Sequence, residues 1–462
     1  MSDNLGIPGL YRTKLPIFND QRGWFCENWN LNKATNLSTP FFPKQQNVSF
    51  NSQAGVTRGF HAEPWDKLIS VSFGTVFCAW VDLRKGESFG MVSHYQLQPG
   101  ESIFVPAGVA NAYQALEDNT VYNYLVNGTW DAGRHYTSFR LGSSPSEIPW
   151  PIPLNLSVVS EKDKLSLPFN SNLQMSCSNY FVTGAGGQLG LSLLSTFEAI
   201  GFDREEWDIS DASKSFPTTD APPRWILNAA AYTKVDQAET EGGKLEAWKT
   251  NVDGVINLAR TCINQGIGLI TFSSDYVFDG KLSRMYTEED EVSPINFYGH
   301  TKATADKVAS LVPAHYVLRT SWVFGAGSNF CKFVFESAKK QKIIEVVHDQ
   351  LGRPTSARHL ALAAKFLTES GAHYGLYNFT NSGEPISRYE LACFIYEYVG
   401  APRELVRPIE TLGSPEIGPP LANRPSNSSL NLDKYTRATS VQPVDWRLAL
   451  SEYLDELLAR PK

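Results

Sequence analysis

The sequence predicts two domains of different fold class, an all-β domain followed by an α/β domain built on a parallel sheet. Three observations support this prediction. The chain has 462 residues, which is more than one hydrophobic core usually serves. Residues 1–155 hold short apolar runs separated by Gly, Pro and Asn. From Tyr180 onward, strand-like and helix-like stretches alternate instead.

The first predicted domain, residues 1–155, has the pattern of a cupin-like jelly-roll barrel. Segments such as "KLISVSFGTVFCAWVDLR" and "ESIFVPAG" are rich in apolar and aromatic residues and show little helical periodicity. Prolines at positions 149, 151 and 153 interrupt this pattern. Residues 156–178 are polar and rich in serine, so we predict a linker there.

The second predicted domain, residues 179–462, has the pattern of a Rossmann-type fold, a doubly wound parallel sheet. Apolar stretches such as "YFVTG", "RWILN" and "GLITFSS" predict buried strands with helices between them. Strands linked in this way form a parallel sheet through right-handed crossovers. Residues from about 370 onward mix helix and loop, and we expect them to form a small substrate lobe.

Composition and charge exclude several classes of function. Hydrophobic residues make up 42% and charged residues 19% of the chain, as in globular domains with a buried core. A net charge of -7 provides no basic surface for nucleic acid, and no apolar run is long enough to span a membrane. The first residues are polar and lack a signal-peptide core, so we expect a cytoplasmic protein.

Neither a metal site nor a disulfide framework is indicated. The six cysteines are scattered and contain no CxxC pair, which favours free thiols in a reducing compartment. His61 and Glu63 lie two positions apart and could belong to a metal site of the cupin kind. No second histidine follows at ligand spacing, so we expect no metal.

A glycine-rich turn opens the second domain. Gly184, Gly187 and Gly190 follow an apolar strand and precede a helix, the context in which such glycines bind a dinucleotide. Their missing side chains let the backbone approach a pyrophosphate at the helix N-terminus. Downstream, "GFDREEWDISD" holds carboxylates, among them Asp208, that favour NADH, and Arg204, which favours the 2′-phosphate of NADPH. The sequence leaves both cofactors open.

The second domain also contains a candidate proton donor. Tyr298 and Lys302 lie four residues apart in "YGHTK", a spacing of one helical turn that also arises by chance. Ser274 ends a predicted strand in "FSSDYVF", and the three groups together can donate a proton to a carbonyl. The Tyr298 phenol has an ordinary pKa of about 10, which we expect a nearby lysine cation to lower. Ser274 would bind the carbonyl oxygen while hydride arrives from the cofactor.

Longer motifs in the second domain resemble a known enzyme family. The segments "NAAAYTKVDQAETE", "LRTSWVFG", "HDQLGRPTSARHLA" and "RPSNSSLN" are similar to dTDP-4-dehydrorhamnose reductases, which are extended short-chain dehydrogenase/reductases. The similarity covers nearly all of residues 180–455. It implies that Ser274, Tyr298 and Lys302 are catalytic, with Ser274 where the family usually has Thr.

The same resemblance implies substrate and cofactor positions. Thr233, Val235 and Trp322 match positions on the sugar side, although Trp322 fits a core position equally well. The cofactor is NADPH or NADH. The residues assigned to it are Gly184, Gly187, Gln188, Leu189, Gly190, Asp208, Ala229, Ala230, Tyr298 and Lys302.

Motifs in the first domain resemble a second family. The segments "DQRGWFCENW", "KQQNVSF", "TRGFHAEP", "IFVPAGVANAY" and "EIPWP" are similar to dTDP-4-dehydrorhamnose 3,5-epimerases over about residues 8–152. The resemblance implies that His61 is the base, Tyr124 the acid and Lys67 the group that stabilises an enolate. It also implies a homodimer. The residues assigned to the sugar nucleotide are Arg22, Glu27, Gln45, Asn47 and Arg58.

The first domain departs from this family at three places. The loop between His61 and Lys67 is shorter than usual. Asn111 stands where the family usually has His. The Asp that orients the base, expected shortly before the final "WP", is missing, and Ser143 and Ser144 stand near that place. We expect Asp82 in "VDLR" to take over its role. These changes leave open that only one carbon is epimerised.

Together the two resemblances imply a bifunctional enzyme for a dTDP-sugar. The first domain would epimerise dTDP-4-keto-6-deoxy-glucose at C3 and C5, and the second would reduce the C4 ketone to give dTDP-L-rhamnose. The alternatives are the same pair of steps on a related deoxysugar, a reductase whose barrel only binds or dimerises, and a non-enzymatic subunit. The retained His61 and Tyr124 oppose an inert barrel, and Tyr298 with Lys302 opposes the last alternative.

Overall fold

The computed structural model of the chain divides into two compact units. The amino-terminal unit comprises Met1–Ser178 and Thr218–Pro223, and the carboxy-terminal unit comprises Asn179–Pro217 and Arg224–Lys462. No helix in the described part of the chain is both long enough and apolar enough to cross a membrane. The residues described are 2–30, 40–131, 135–214, 216–217, 219–411 and 421–459.

The regular structure of the amino-terminal unit is mainly β-strand, and the described residues include one short α-helix, α1 (Glu161–Lys164). Its strands are β1 (Ser2–Asn4), β2 (Tyr11–Lys14), β3 (Ile17–Asp20), β4 (Gly23–Cys26), β5 (Gln45–Asn51), β6 (Thr57–Ala62), β7 (Lys67–Phe73), β8 (Val76–Asp82), β9 (Val92–Leu97), β10 (Glu101–Val105), β11 (Val109–Ala115), β12 (Thr120–Val126) and β13 (Thr137–Ser138).

Two antiparallel sheets form the body of this unit. One has the strand order β1-β2-β10-β7-β12-β5 and the other the order β13-β6-β11-β8-β9, while β3 and β4 pair as a separate hairpin. One hydrophobic cluster joins side chains from both sheets, among them Ile69 of β7, Trp80 of β8, Tyr113 of β11 and Tyr122 of β12. The two sheets therefore pack face to face, because alternate residues of each strand point to the same side.

Residues 156–178, for which we predicted a linker, instead pack on the amino-terminal unit. Val158 bridges to Val56, and Met175, which is buried, bridges to Arg84. The ring of Phe169 stacks on Phe89 at 5.4 Å. The serine-rich composition misled the prediction, because the few apolar side chains between the serines are enough to dock the segment.

The carboxy-terminal unit alternates strands and helices. Its strands are β14 (Tyr180–Thr183), β15 (Ile200–Phe202), β16 (Trp225–Asn228), β17 (Gly268–Ser274), β18 (His315–Thr320), β19 (Val323–Phe324), β20 (Ile344–Val347), β21 (Leu351–Gly352), β22 (Thr355–Ser356), β23 (Gly375–Asn378), β24 (Ile386–Ser387) and β25 (Val406–Ile409). Its helices are α2 (Gln188–Phe197), α3 (Glu241–Trp248), α4 (Gly254–Gln265), α5 (Phe297–Ala309), α6 (Phe330–Lys339), α7 (Ala357–Glu369), α8 (Arg388–Tyr398), α9 (Asp433–Thr439) and α10 (Trp446–Ala459).

A six-stranded parallel sheet with the order β15-β14-β16-β17-β18-β23 forms the centre of this unit. This confirms the predicted parallel sheet. From β14 the chain goes first to β15 on one side and later to β16 on the other side. The strand order therefore reverses at β14, and sheets of this kind bind ligands at the carboxyl ends of the strands beside such a reversal. A second hydrophobic cluster, which includes Phe324, Val334, Leu391 and Trp446, forms a lobe beside the sheet.

Candidate active sites

The glycine turn of the carboxy-terminal unit leaves no room for side chains. A Cβ atom on Gly184 would lie 2.7 Å from the Ala230 Cα, and one on Gly190 would lie 2.2 Å from the Gly184 carbonyl oxygen. Gly184 also has a positive φ of 65°, which side-chain-bearing residues rarely adopt. The start of α2 therefore packs on the turn, and the turn packs on the residues that follow β16. This cradle fits the pyrophosphate of a dinucleotide.

Hydrogen bonds fix the strand ends beneath this turn. Thr183 Oγ1 donates to Asn228 Oδ1 at 2.8 Å, and Asn228 Nδ2 donates to Thr271 Oγ1 at 3.2 Å. All three side chains are buried. The ends of β14 and β16 are thereby joined to the middle of β17, and these parallel strands stay in register, so that the loops following them meet at one edge of the sheet.

A cavity of about 610 Å³ opens at this edge. It brings together most of the residues that the sequence indicated. Gly184, Gly190 and Ala230 form the glycine turn behind the cavity wall. Asp208 is not among the residues that line the cavity, and it accepts hydrogen bonds from Arg204 and Ser210. The predicted residues in the wall are Gly187, Gln188, Leu189, Ala229, Thr233, Val235, Ser274, Tyr298, Lys302 and Trp322.

The predicted proton donor is assembled at the inner end of this cavity. Ser274 is the last residue of β17, and Tyr298 and Lys302 lie on the first turns of α5. Asn296 caps α5, because its side chain accepts a hydrogen bond from Gly299 N at 2.7 Å. Lys302 Nζ donates to the Phe272 carbonyl oxygen at 2.6 Å, which anchors the buried cation beside β17.

Burial has the largest effect on the pKa values of Tyr298 and Lys302. It raises the pKa of Tyr298, with a further increase from Asp275, and a hydrogen bond with Ser274 opposes it only in part. We expected Lys302 to lower the Tyr298 pKa, and that expectation was wrong, because desolvation dominates. Burial lowers the pKa of Lys302 to about 8, against the attraction of Asp306. Tyr298 is therefore protonated at neutral pH and is ready to act as an acid.

Asp275 belongs to the same cluster, although sequence reasoning missed it. Its carboxylate is buried and accepts a hydrogen bond from Ser274 Oγ at 3.0 Å. Burial raises the pKa of Asp275 to about 6, against hydrogen bonds from Ser428 and Ser274. The only sequence signal was its place directly after Ser274 at the end of a predicted strand.

Trp322 lies in the cavity wall rather than in the core. Its φ of 45° is unusual for a bulky residue. A Cβ atom on Gly352 would lie 2.8 Å from the indole, so the ring can occupy this position only because residue 352 has no side chain. The Arg388 guanidinium lies over the same ring, with its Cζ 4.4 Å from the ring centroid. Arg388 lines the same cavity, and no motif in the sequence indicated it.

The amino-terminal unit holds a histidine and a carboxylate in contact. His61 Nε2 lies 2.8 Å from Asp163 Oδ1. Asp163 is buried on α1, where its backbone N–H donates to the Ser160 cap. Burial raises the pKa of Asp163, but the hydrogen bond and charge of His61 outweigh it and hold the pKa below its usual value. The carboxylate that orients His61 therefore comes from the segment that we predicted as a linker.

Asp82, which we expected in that role, is engaged elsewhere. Its two carboxylate oxygens accept hydrogen bonds from Arg84 Nε at 2.9 Å and Nη2 at 2.6 Å. Asp82 is fully buried at the end of β8. A buried carboxylate with a bidentate arginine partner has a structural role, so the prediction for Asp82 was wrong.

The predicted acid and enolate-stabilising residues lie next to each other. Lys67 Nζ lies 2.5 Å from Glu63 Oε2 and 5.9 Å from the centroid of the Tyr124 ring. Burial raises the pKa of Tyr124, with a further increase from Glu63, so the phenol keeps its proton at neutral pH. Lys67 is itself buried. A cation and a phenol are thus presented side by side.

Three of the predicted sugar-nucleotide residues, Gln45, Asn47 and Arg58, lie on strands of the two sheets near Tyr124, Lys67 and His61. Asn47 lies opposite Tyr124, and Gln45 lies opposite Val126, which is itself paired with Lys67. Arg58 lies on the same strand as His61, and its Nε donates to Asn51 at 3.4 Å. His61 lies opposite Asn111, the position where we expected a family histidine.

Arg22 and Glu27 are not brought to this group. Arg22 lies at the tip of the β3–β4 hairpin, with a side chain that is 90% exposed and paired with Asp20. Glu27 directly follows β4 and accepts a hydrogen bond from Asn30 at 3.1 Å. Among the described strands, β3 and β4 pair only with each other.

No cluster of three or more His, Cys, Asp or Glu side chains with the geometry to hold a metal ion occurs among the residues that the structure describes.

Comparisons with known proteins match each unit separately. The family described as "RmlD substrate binding domain" matches residues 178–459, and the family "dTDP-4-dehydrorhamnose 3,5-epimerase" matches residues 4–171. A dTDP-4-dehydrorhamnose reductase of Aggregatibacter actinomycetemcomitans is 40% identical over 285 residues, 58% of this chain and 96% of that protein. The RmlC homolog of Streptococcus pyogenes is 44% identical over 166 residues, 34% of this chain and 83% of that protein.

A solved structure matches the carboxy-terminal unit. The dTDP-4-dehydrorhamnose reductase of Bacillus anthracis, determined in complex with NADP, is 30% identical and has a TM-score of 0.54. The match covers 61% of this chain and 99% of that chain. The fold and the family assignment therefore agree over the whole carboxy-terminal unit.

Proposed function

The chain belongs to the dTDP-4-dehydrorhamnose 3,5-epimerases through its amino-terminal unit and to the dTDP-4-dehydrorhamnose reductases through its carboxy-terminal unit, and we propose that it joins both activities. It epimerises dTDP-4-keto-6-deoxy-glucose at C3 and C5. It then reduces the C4 ketone with NADPH or NADH to give dTDP-L-rhamnose. The observation that carries this proposal is the presence in one chain of both the His61–Asp163 pair and the Ser274, Tyr298 and Lys302 group.

Epimerisation uses the acidity of the protons next to the ketone. His61 removes such a proton, and Asp163 holds the imidazole in one orientation and stabilises its positive charge. Lys67 offsets the negative charge that develops on the enolate oxygen. Tyr124 returns a proton to the opposite face of the sugar. The raised pKa of Tyr124 suits a group that must arrive protonated.

Reduction uses the cavity of the carboxy-terminal unit. The nicotinamide cofactor, when bound in the glycine cradle, supplies hydride to C4. Ser274 binds the carbonyl oxygen, and Tyr298 donates the proton that the new alcohol requires. Lys302, anchored on the Phe272 carbonyl, lies one helical turn after Tyr298 and would hold the nicotinamide ribose.

The Asp163 contact bears directly on the alternative of an inert barrel. The main argument for that alternative was the missing carboxylate behind His61. A buried carboxylate on that imidazole supports a working base instead.

The decisive experiment supplies the purified chain with dTDP-4-keto-6-deoxy-glucose and no added epimerase, and follows NADPH and NADH oxidation separately. Steady oxidation with dTDP-L-rhamnose as product supports both activities. Oxidation that starts only after a separate epimerase is added would leave a reductase with an inert barrel. No oxidation in either case would refute the proposed substrate.

Finer features are also proposed. The face-to-face sheets fit a jelly-roll barrel, and the free cysteines of the described residues fit a cytoplasmic protein. We propose a homodimer through the barrel, because the edge strand β5 exposes Val48 and Phe50, and β7, two strands further into the same sheet, exposes Phe73. Light scattering after size-exclusion chromatography tests this, and a monomer mass at micromolar concentration would refute it.

A further inference from the structure

Asp306 and Arg319 form a buried ion pair behind the proton-donor group. Asp306 lies on α5 and Arg319 on β18, and both side chains are 6% exposed. Arg319 Nε donates to Asp306 Oδ2 at 3.0 Å. Neither residue lies in the wall of the 610 Å³ cavity. Because apolar side chains of the same size often stabilise a core equally well, stability alone does not account for a buried pair at this place.

The helix places Asp306 next to Lys302. The two residues are four positions apart on α5 and both are buried, so their side chains leave the same face of the helix one turn apart. Lys302 reaches β17 at the Phe272 carbonyl oxygen, and Asp306 reaches β18 at Arg319. In the register of the sheet, Arg319 lies opposite Ser273, the residue after Phe272. The two side chains therefore contact the sheet at neighbouring points.

Charge couples the same three side chains. Burial lowers the pKa of Lys302 to about 8, and the attraction of Asp306 opposes that decrease. Burial also raises the pKa of Asp306, and the charge of Arg319 is the largest influence that opposes that increase. Since a guanidinium stays charged at any ordinary pH, Arg319 favours the ionised form of Asp306. Arg319 thus acts on Asp306, and Asp306 acts on Lys302.

Among the groups that surround Lys302 in the described structure, Asp306 is the one whose charge acts on it. Residues 249–265 also contact α5, and they do so through the neutral side chain of Asn251, which donates to Thr301 at 2.9 Å. The other charged or titratable groups on α5 and on the elements packed against it include Tyr298, Asp275, Tyr276, Glu239, Lys244 and Arg319.

We propose that Asp306 is a positioning residue for the reduction, and that its carboxylate, fixed by Arg319, keeps Lys302 charged and directed at the Phe272 carbonyl. Asp306 itself touches neither cofactor nor substrate. This inference rests on the proposed reductase function. Because the charged form of Lys302 is the one that would hold the nicotinamide ribose, Asp306 sets the upper pH at which the cofactor is held.

The test measures the affinity of the full chain for NADPH by fluorescence titration across neutral and alkaline pH. It also measures kcat/KM for NADPH oxidation with dTDP-4-keto-6-deoxy-glucose and an excess of a separate epimerase. In the wild type, both should decline as the pH rises through about 8. In Asp306→Asn we expect the decline about one to two pH units lower, because the buried cation loses the charge that stabilises it. Asp306→Glu keeps that charge and should stay within about half a pH unit of the wild type.

Ala305→Gly is the control for a purely structural effect. Ala305 is buried next to Asp306 on α5, and glycine weakens the helix without any change of charge. This variant should have a lower Tm and an unchanged pH of the decline. If Asp306→Asn also lowers Tm but leaves the pH of the decline unchanged, Asp306 has a structural role only and the inference is overturned.

A second variant decides the question if Asp306→Asn does not fold. The double variant Asp306→Asn with Arg319→Met leaves no unpaired charge in the core. It should also move the decline in NADPH affinity to lower pH, and an unchanged decline would overturn the inference. Failure of the proposed function gives a different result, because the wild type would then bind NADPH without oxidising it. The affinity measurement still tests Asp306 in that case.

Discussion

His61 and Asp163 are 102 positions apart in the sequence, and their side chains meet at 2.8 Å. One lies on β6, and the other lies on the one-turn helix α1 that packs against it. This contact gives the proposed base a carboxylate that can orient it. It also shows that the amino-terminal unit continues beyond the prolines near residue 150.

Removal of the Asp163 charge should slow epimerisation without affecting reduction. We expect Asp163→Asn to lower the rate of deuterium uptake at C3 and C5 by about 100-fold, because the imidazole loses its orientation and its counter-charge. Proton NMR in D₂O measures this exchange. Glu161→Gln, on the same helix but with an 80% exposed side chain, is the matched control. Equal rates for Asp163→Asn and the control would exclude a role for Asp163.

Tyr298→Phe should abolish reduction and spare epimerisation. Loss of the proton donor should lower kcat for NADPH oxidation by about 100- to 10,000-fold with little change in KM. The matched control is Tyr398→Phe on α8. It removes a hydroxyl that donates to Asp455 at 2.8 Å, and it should leave both rates unchanged. A variant Tyr298→Phe with more than a tenth of the wild-type kcat would contradict the assignment.

The pH dependence of reduction should follow Lys302. Burial lowers the Lys302 pKa to about 8, so the charged form, present below that pH, is lost as the pH rises through it. Because the charged form of Lys302 is the one that would hold the cofactor beside Tyr298, kcat/KM for reduction should fall above about pH 8. Lys302→Arg should move this limb to higher pH, since arginine stays charged. A limb at the same pH in the variant would assign it to another group.

Gly190→Ala should prevent cofactor binding. The added Cβ would lie 2.2 Å from the Gly184 carbonyl oxygen, so α2 cannot remain seated on the turn. Titration of NADPH fluorescence should show at least a 10-fold weaker affinity, while C3 and C5 deuterium uptake in the other unit persists. Gly242→Ala, where a Cβ meets no atom within 4 Å, is the control. Normal NADPH binding by Gly190→Ala would refute the cradle.

The sequence by itself determined the parallel sheet, the glycine turn and the placement of Ser274, Tyr298 and Lys302. These features depend on local patterns: the order of strands and helices, glycines at a strand end, and one helical turn between two side chains. Local rules of backbone geometry act on short segments, so residue spacing is enough to reveal them.

Only the tertiary structure decided which carboxylate contacts His61, that residues 156–178 belong to the amino-terminal unit, and that Arg388 lies in the wall of the cavity with Trp322. Each depends on segments far apart in the chain, and no spacing rule links them. The Tyr298 pKa was misjudged for a related reason. Desolvation depends on everything packed around the phenol, whereas the sequence displayed only the lysine one turn away.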